Sequence, residues 1–470
     1  MASVTPSHSS TPTITTPETG APTPTPTPPE NPELYDNYVF SPLSQEEGKK
    51  HYRNNDAHVT CTFYKGKFVF EQVRQRIIDI IDANQWLLGS LEWSEGIRFK
   101  KSKKKGLDLV YLQNPPPAYM IKRAVYFEKP EAYNISDTTH YEHLSRNILA
   151  SPCNVARGRK LIKEPRKEPI FKITFIPSKC DKKFAMVVSM SKLIADGFTY
   201  YKILNMFSQI EGKVETLDTE RKPFKHYLGS ALGTSEYEFF FSWGQKFNHF
   251  WHKKMKKKPI VRCYNVENDR LNSLKRRAKD ESDQHFISTN DVLVAAFAKL
   301  VKPRLLSQTI DFRLRMPEII YSDAGNYSFQ FYFQKEDYAS AALLRRAVMG
   351  ERREGQFIRM GAPPGRERQL PWFTRPWCRM AKVDNWASWT KGDFTLWEDG
   401  CEQLLHLPIV DCRNVGCETL IIFKQKKEKF ASLIISRQIN DKLMQAASSG
   451  GGPFGFITNV ALFRTLKKGR

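Results

Sequence analysis

The chain reads as a mixed α/β protein of two or three domains. Three observations carry that expectation. It has 470 residues, which bounds the domain count. Its hydrophobic content of 40% and aromatic content of 12% supply sizeable cores. From Tyr35 onward, short β-like runs alternate with segments of helical period.

Taken in order, residues 1–33 form a Thr/Pro-rich tail that includes PTPTPTPP at 22–29. Such a segment has almost nothing to bury. It is expected to be disordered or locally polyproline II, as a solvating tail or linker rather than a docking peptide. Val59–Tyr64 alternates and reads as a strand. Phe70–Leu88 carries Val73, Ile77, Ile80, Ile81 and Leu87 at roughly helical spacing, and Asn84-Gln85-Trp86 should end it. Pro115–Pro117 reads as a turn or loop. Ile170–Ile176 and Phe184–Met190 are strongly β-like. Phe198–Ile210 predicts a helix with Tyr201, Leu204 and Phe207 on one face, and Asp291–Lys302 predicts another. Leu420–Lys424 and Phe430–Ser436 flank QKKEK and read as a hairpin. The stretch from about 215 to 260 is polar, then aromatic, then lysine-rich before Pro259. It divides the chain into residues 34–215, a crossover at 216–260, and residues 261–470.

Composition excludes several classes. No stretch approaches the roughly 18 uninterrupted apolar residues of a membrane span. MASVTPSHSS lacks a basic start followed by an apolar core, and it has no arginine, so the cytosol is the expected compartment. Eight cysteines are spread thinly, with no CxxC pair and no histidines beside Cys412 and Cys417. They read as reduced, buried thiols, and no metal is expected. The net charge of +23 attracts nucleic acid, anionic lipid or a polyanionic small molecule such as coenzyme A. No zinc finger, RNP pattern, KH loop or helix-turn-helix signature is present, so no specific nucleic-acid partner is expected.

The segment FAMVVSMSKLIADGFTYYKIL, residues 184–204, is a buried strand running into a short loop and a helix. Loops after strands present reactive side chains. Asp196-Gly197 suits the helix start, where a carboxylate faces the positive end of the helix dipole. Ser191, Lys192, Leu193-Ile194-Ala195, Asp196 and Gly197 resemble the HxxxDG signature of the chloramphenicol-acetyltransferase-like superfamily, with Lys192 in the histidine position. BAHD acyltransferases, wax ester synthases and condensation domains are its members. Four other stretches are similar to family elements in the expected order. These are Val73–Leu91; Pro169–Ile176; Ile287–Ala296 with its Ser-x-Asn-Asp opening at Asn290 and Asp291; and Asp311–Met316 followed by Gly325-Asn326. The family's DFGWG-type loop is not intact. Asn385–Gly400, NWASWTKGDFTLWEDG, has the right neighbourhood and the wrong letters.

The resemblance implies two lobes, each a mixed sheet with helices, meeting at a channel. It implies transfer of an acyl group other than an amino-acyl group from acyl-CoA, a co-substrate and not a resident cofactor, to an alcohol or amine. In the family the histidine takes a proton from the acceptor, and the aspartate pairs with an arginine from the second lobe. By that resemblance Asp196 should pair with Arg313, or failing that Arg315. Ser191, Gly197, Arg313, Asn290, Asp291, Gly325 and Asn326 are implied as supporting residues. Imidazole suits base catalysis because its pKa lies near neutrality. Lysine is ordinarily protonated there. Burial can lower its pKa and make a base of it; a charged Lys192 would instead clamp an oxyanion or an acidic ligand. The alternative is a silent relative that keeps the channel for binding. His140, His143 and His285 read as solvent-facing or core histidines, and no GxSxG elbow occurs.

Two basic surfaces remain. Lys100–Lys105 reads as a solvated loop. Ser235–Lys258 begins with a capping box at Ser235 and Glu238, then places Phe240, Trp243, Phe247, Phe250 and Trp251 at helical spacing before a lysine cluster. It reads as an inter-lobe crossover packed on the core, with peripheral membrane contact as the competing expectation. A monomer is expected.

Overall fold

The structure is a computed structural model. It describes residues 37–457 apart from 95–105, 130–132, 134, 180–181, 211, 233–246, 248–249, 251–257, 350, 354–355, 359–378, 398–399, 414, 440–443 and 445–451. The Thr/Pro tail, the lysine run at 100–105 and almost all of 235–258 lie outside the described residues.

Two mixed sheets organise the chain. The first has the order β14-β2-β7-β6-β5, with β2 (His58–Lys65), β5 (Val125–Phe127), β6 (Phe171–Pro177), β7 (Lys183–Met190) and β14 (Glu402–Pro408). The second has the order β10-β9-β13-β15-β16-β8-β17. Its strands are β8 (Ile260–Val266), β9 (Leu305–Asp311), β10 (Ser328–Phe333), β13 (Met380–Asn385), β15 (Glu418–Lys426), β16 (Lys429–Ser436) and β17 (Phe454–Ile457). A three-stranded sheet of β1 (Tyr38–Pro42), β4 (Gly106–Leu112) and β3 (Ser90–Ser94), and a short pair of β11 (Glu351–Arg353) and β12 (Gln356–Ile358), complete the strands described. Although β14 comes from the C-terminal half of the chain, it completes the first sheet by pairing antiparallel with β2.

The hydrophobic pattern explains why the sheets stack. In β15 and β16, Ile421, Phe423, Leu433 and Ile435 pack into the same core as the first sheet's residues. Leu420, Ile422 and Ile434 point the other way, into a core with the helix Thr289–Val301. Side chains alternate across a strand, so a sheet covered on both faces reads as a continuous apolar run.

Local boundaries depart from the sequence reading, most plainly at one helix end and one helix start. The helix expected over 198–210 runs from Gly197 to Asn205. Arg76 donates hydrogen bonds to the carbonyls of Met206 and Ser208, holding the chain in a non-helical turn. Pro115–Pro117 is a helix entry rather than only a turn: the helix Pro117–Ala124 starts on Pro117, a position where a missing N–H costs nothing.

Candidate active site

The site begins where β7 ends. Ser191 is buried, and its amide donates to the Ile170 carbonyl at 2.9 Å. Its hydroxyl accepts from the Leu193 amide at 3.3 Å, closing the turn that carries Lys192. The turn is then pinned from outside. The Asn326 side-chain amide donates to the carbonyls of Lys192 and Leu193, both at 3.2 Å, and to Glu47 at 2.7 Å. Arg221 donates to the Ile194 carbonyl at 2.8 Å and to Glu47 at 3.0 Å. Glu47 is only 1% exposed, so its charge is neutralised by Arg221 in place.

Asp196 caps the helix that follows, accepting from the Thr199 amide at 3.0 Å. Its two carboxylate oxygens face the Arg313 guanidinium at 3.0 and 3.3 Å. The Tyr327 amide and Ser328 hydroxyl also donate to it, each at 3.0 Å. Arg313 is fully committed: it donates to Asp311 at 2.7 Å, to the Asp323 carbonyl at 3.0 Å and to the Thr199 hydroxyl at 2.9 Å. Its guanidinium lies 4.3 Å from the Phe198 ring and 5.0 Å from the Tyr327 ring. Arg315 lies apart from this cluster and donates to the Val348 carbonyl. Arg313 and its hydrogen bonds hold Asp196 below the ordinary carboxylate range against the opposing effect of burial. One guanidinium serves two carboxylates here. Burial, with the Asp196 charge beside it, pushes Asp311 up to about 6 although Arg313 pulls it down.

Lys192 is half-buried, and among the described residues its ammonium has no hydrogen bond or ion pair. Burial first, and the Lys382 charge second, lower its pKa; Asp384 and Asp56 pull it back up. Lys382 and Asp384 project from β13 of the second sheet and pair at 2.9 Å, with Asp384 also accepting from the Thr309 hydroxyl at 2.5 Å. The Lys192 ammonium is therefore within electrostatic reach of the Lys382–Asp384 pair on the second sheet.

The remaining sequence-nominated residues support the frame. Gly197 admits the Trp389 ring: a Cβ there would lie 2.4 Å from the Trp389 Cζ3. Trp389 belongs to the altered segment 385–400, and Asn205 donates to its carbonyl at 2.7 Å. Gly325 adopts φ +151°, and its carbonyl accepts from the Asp196 amide at 3.0 Å. Asn290 accepts from Asn385 at 3.1 Å. Asp291 closes a capping box with Ser288 and pairs with Arg345 at 2.6 Å, away from Lys192's neighbours.

Sequence reasoning passed over His58. It opens β2, directly opposite Met190 at the end of β7. Its ring centroid lies 5.6 Å from that of Tyr200 and 6.4 Å from that of Trp386. It is half-buried and within electrostatic reach of Lys192. Burial lowers its pKa well below the ordinary imidazole range, and the Lys192 charge adds to that effect. The signal was available only through pairing: a histidine at the start of a strand matters once that strand is known to flank β7. The helix Tyr141–Ala150 carries His143, which is hydrogen-bonded to Arg146, with His140 at its N-cap. His406, fully buried between Thr62 and Tyr201, is held neutral by burial, its pKa lowered to about 3.

No protein-family description matches this sequence, and no curated protein is similar to it. Solved structures are. TRI101 of F. graminearum, complexed with ethyl coenzyme A, is 12% identical with a TM-score of 0.52, over 88% of this chain and 97% of that one. Vinorine synthase is 10% identical with a TM-score of 0.52, over 86% of this chain and 91% of that one. Polyketide synthase associated protein 5 from Mycobacterium tuberculosis is 11% identical with a TM-score of 0.50, over 88% and 98%. At these identities the likeness speaks for the fold, and the chain has the two-lobed, mixed α/β fold of the chloramphenicol-acetyltransferase-like proteins.

Proposed function

We propose that this chain transfers an acyl group from a CoA thioester to an alcohol or amine, in the seam between its two sheets. The observation that carries the reading is the buried Asp196–Arg313 clamp, which fixes a strand–turn–helix unit so that Lys192 faces that seam. The support from outside is the fold, together with the coenzyme A that TRI101 holds in its complexes.

In this reaction the acceptor attacks the thioester carbonyl, an oxyanion forms, and the tetrahedral species collapses with loss of the CoA thiol. A group that stays positive suits the oxyanion. Lys192 fits that role better than the role of base. Its pKa would have to fall from 10.5 to near neutrality, while Asp384 and Asp56 oppose the fall. Asp196 orients the turn and does not touch the reacting atoms: Arg313, Thr199, Tyr327 and Ser328 already occupy its carboxylate. The supporting roles of Ser191, Gly197, Gly325 and Asn326 are to hold that turn, and those of Asn290 and Asp291 to hold the second sheet's helix.

The test is an acyl-CoA panel with mixed alcohol and amine acceptors, followed by free thiol release. Acceptor-dependent release is the expected result, reduced by about 10²–10³ in Lys192→Met, the usual loss when one oxyanion contact goes. No acceptor-dependent release with any donor would leave the silent, binding-only reading. That second reading draws on Lys192, which stands in the histidine position of the motif.

A further inference from the structure

A charged Lys192 leaves the acyl transfer without a proton acceptor. We propose that His58, at the start of β2, takes that role, so that the imidazole missing from the HxxxDG position reaches the same seam from a different strand. This rests on the acyl-transfer reading above and deepens it.

The placement follows from register. His58 pairs with Met190, and Lys192 lies two residues further along the same strand end. Residues two apart share a sheet face, so His58 and Thr60 point the same way. The Thr60 hydroxyl is 2.7 Å from the Tyr200 hydroxyl, which fixes that face as the one under the helix Gly197–Asn205. Trp386, which follows β13, meets the His58 ring edge-on from the second sheet. His58 is thereby held between the two sheets and keeps contact with solvent, since it is half-buried.

The charge state follows from the neighbours. The groups acting on the ring are Lys192 and Asp196 from the turn and helix cap, the Ala195 backbone, and Lys382 from β13. Tyr200 packs on it from the helix. Lys382 is neutralised by Asp384, and Asp196 by Arg313. That leaves two adjacent basic groups, His58 and Lys192, that do not share a proton comfortably. Of such a pair the intrinsically weaker base loses its proton first, and the environment drives the two titrations apart. At neutral pH the imidazole is then free base and the ammonium is charged, which is the division the reaction requires. As the acceptor's O–H or N–H attacks, its proton passes to the free ring nitrogen while the new C–O or C–N bond forms. The oxyanion lies against Lys192. When the C–S bond breaks, the imidazolium returns the proton to the departing sulfur, giving the ester or amide and free CoA thiol.

Two measurements on the full chain test this. The first follows the His58 ring C–H resonance against pH, assigned through His58→Gln, in wild type and in Lys192→Met. A midpoint well below the ordinary imidazole range in wild type, rising in Lys192→Met, is expected. An ordinary midpoint that does not respond to Lys192→Met overturns the pairing. The second compares thiol release by wild type and His58→Gln, each with a thermal melt to show that the variant folds. A loss of about 10²–10⁴ in acceptor-dependent rate is expected, as for removal of a positioned base. A change of less than about threefold in a folded variant overturns the role. If wild type shows the depressed, Lys192-sensitive midpoint and yet no transfer with any donor, the acyl-transfer reading has failed and takes the proton-acceptor role with it. If wild type transfers and His58→Gln transfers equally well, only the role of His58 has failed.

Discussion

At Asp196 a single carboxylate accepts from a helix amide, a second backbone amide, a hydroxyl and both ends of one guanidinium. A buried pair need not be a net gain over apolar residues, but removing one member strands the other. Asp196→Ala should therefore cost about 3–5 kcal/mol. Lys192→Ala breaks no side-chain hydrogen bond among the described residues and relieves repulsion by Lys382, so it should change stability by less than about 1 kcal/mol. Denaturant melts of the two variants check the comparison, and equal small effects would reduce Asp196 to a helix cap. Asp311 gives a pH signature. Its folded pKa of about 6 lies above the ordinary 3.8, so between these values the folded state holds more protons than the unfolded one. Stability should then fall as pH rises through that window, by on the order of 3 kcal/mol. Asp311→Asn should flatten the fall, as urea midpoints at pH 4 and pH 7 will reveal; an unchanged slope would mean that Arg313 fully compensates Asp311.

The turn between β7 and its helix is the element that matters most, and its shape is imposed from other parts of the chain. Asn326 and Arg221 hold the carbonyls of residues 192–194. Asn326→Ala should lower transfer at least about tenfold, because a misplaced catalytic group is costly in rate. The accompanying loss of stability should be only about 1–3 kcal/mol, the usual penalty for unpaired buried acceptors. A matched rate and melt on the same preparation separates the two, and an unaltered rate would show that the turn holds itself. Gly197→Ala should act through packing. Its Cβ meets the Trp389 ring, so overpacking of about 1–3 kcal/mol is expected in a thermal melt. The 385–400 segment thus meets the helix start through the aromatic plane of Trp389.

For the molecule as a whole, the two sheets do not behave as separable bodies. Val261, Cys263, Ile421, Phe423, Leu433 and Ile435 of the second sheet share one core with Val59, Phe171 and Val187 of the first, and β14 crosses to complete the first sheet. Calorimetry should show one cooperative transition over the folded region; two resolved transitions would contradict a shared core. The net charge of +23 acts at the same scale. Binding of a polyanionic thioester should weaken several-fold between about 50 and 300 mM salt, as screening predicts. Salt-independent affinity, measured by titration calorimetry, would assign binding to local contacts alone. Among the described residues no helix is long and apolar enough to cross a membrane.

Much was legible in the sequence because it is local. Alternation marked Val59–Tyr64, since a pleated strand has a period of two, and short continuous apolar runs marked Phe184–Met190 and the β15–β16 hairpin, whose two faces are both covered. Asp196-Gly197 marked a helix start because capping is satisfied within three residues. Lys192 was visible as a departure from a motif whose spacing is short. Tertiary structure decided the rest. The register of β2 against β7 brings His58 to Lys192 from far earlier in the chain, and no periodicity within either segment encodes that meeting. Lys382 pairs with Asp384, and among the described residues the Lys192 ammonium has no such partner. Charge and proton affinity at a site depend on distance and burial, and these are set only when strands distant in sequence are packed side by side.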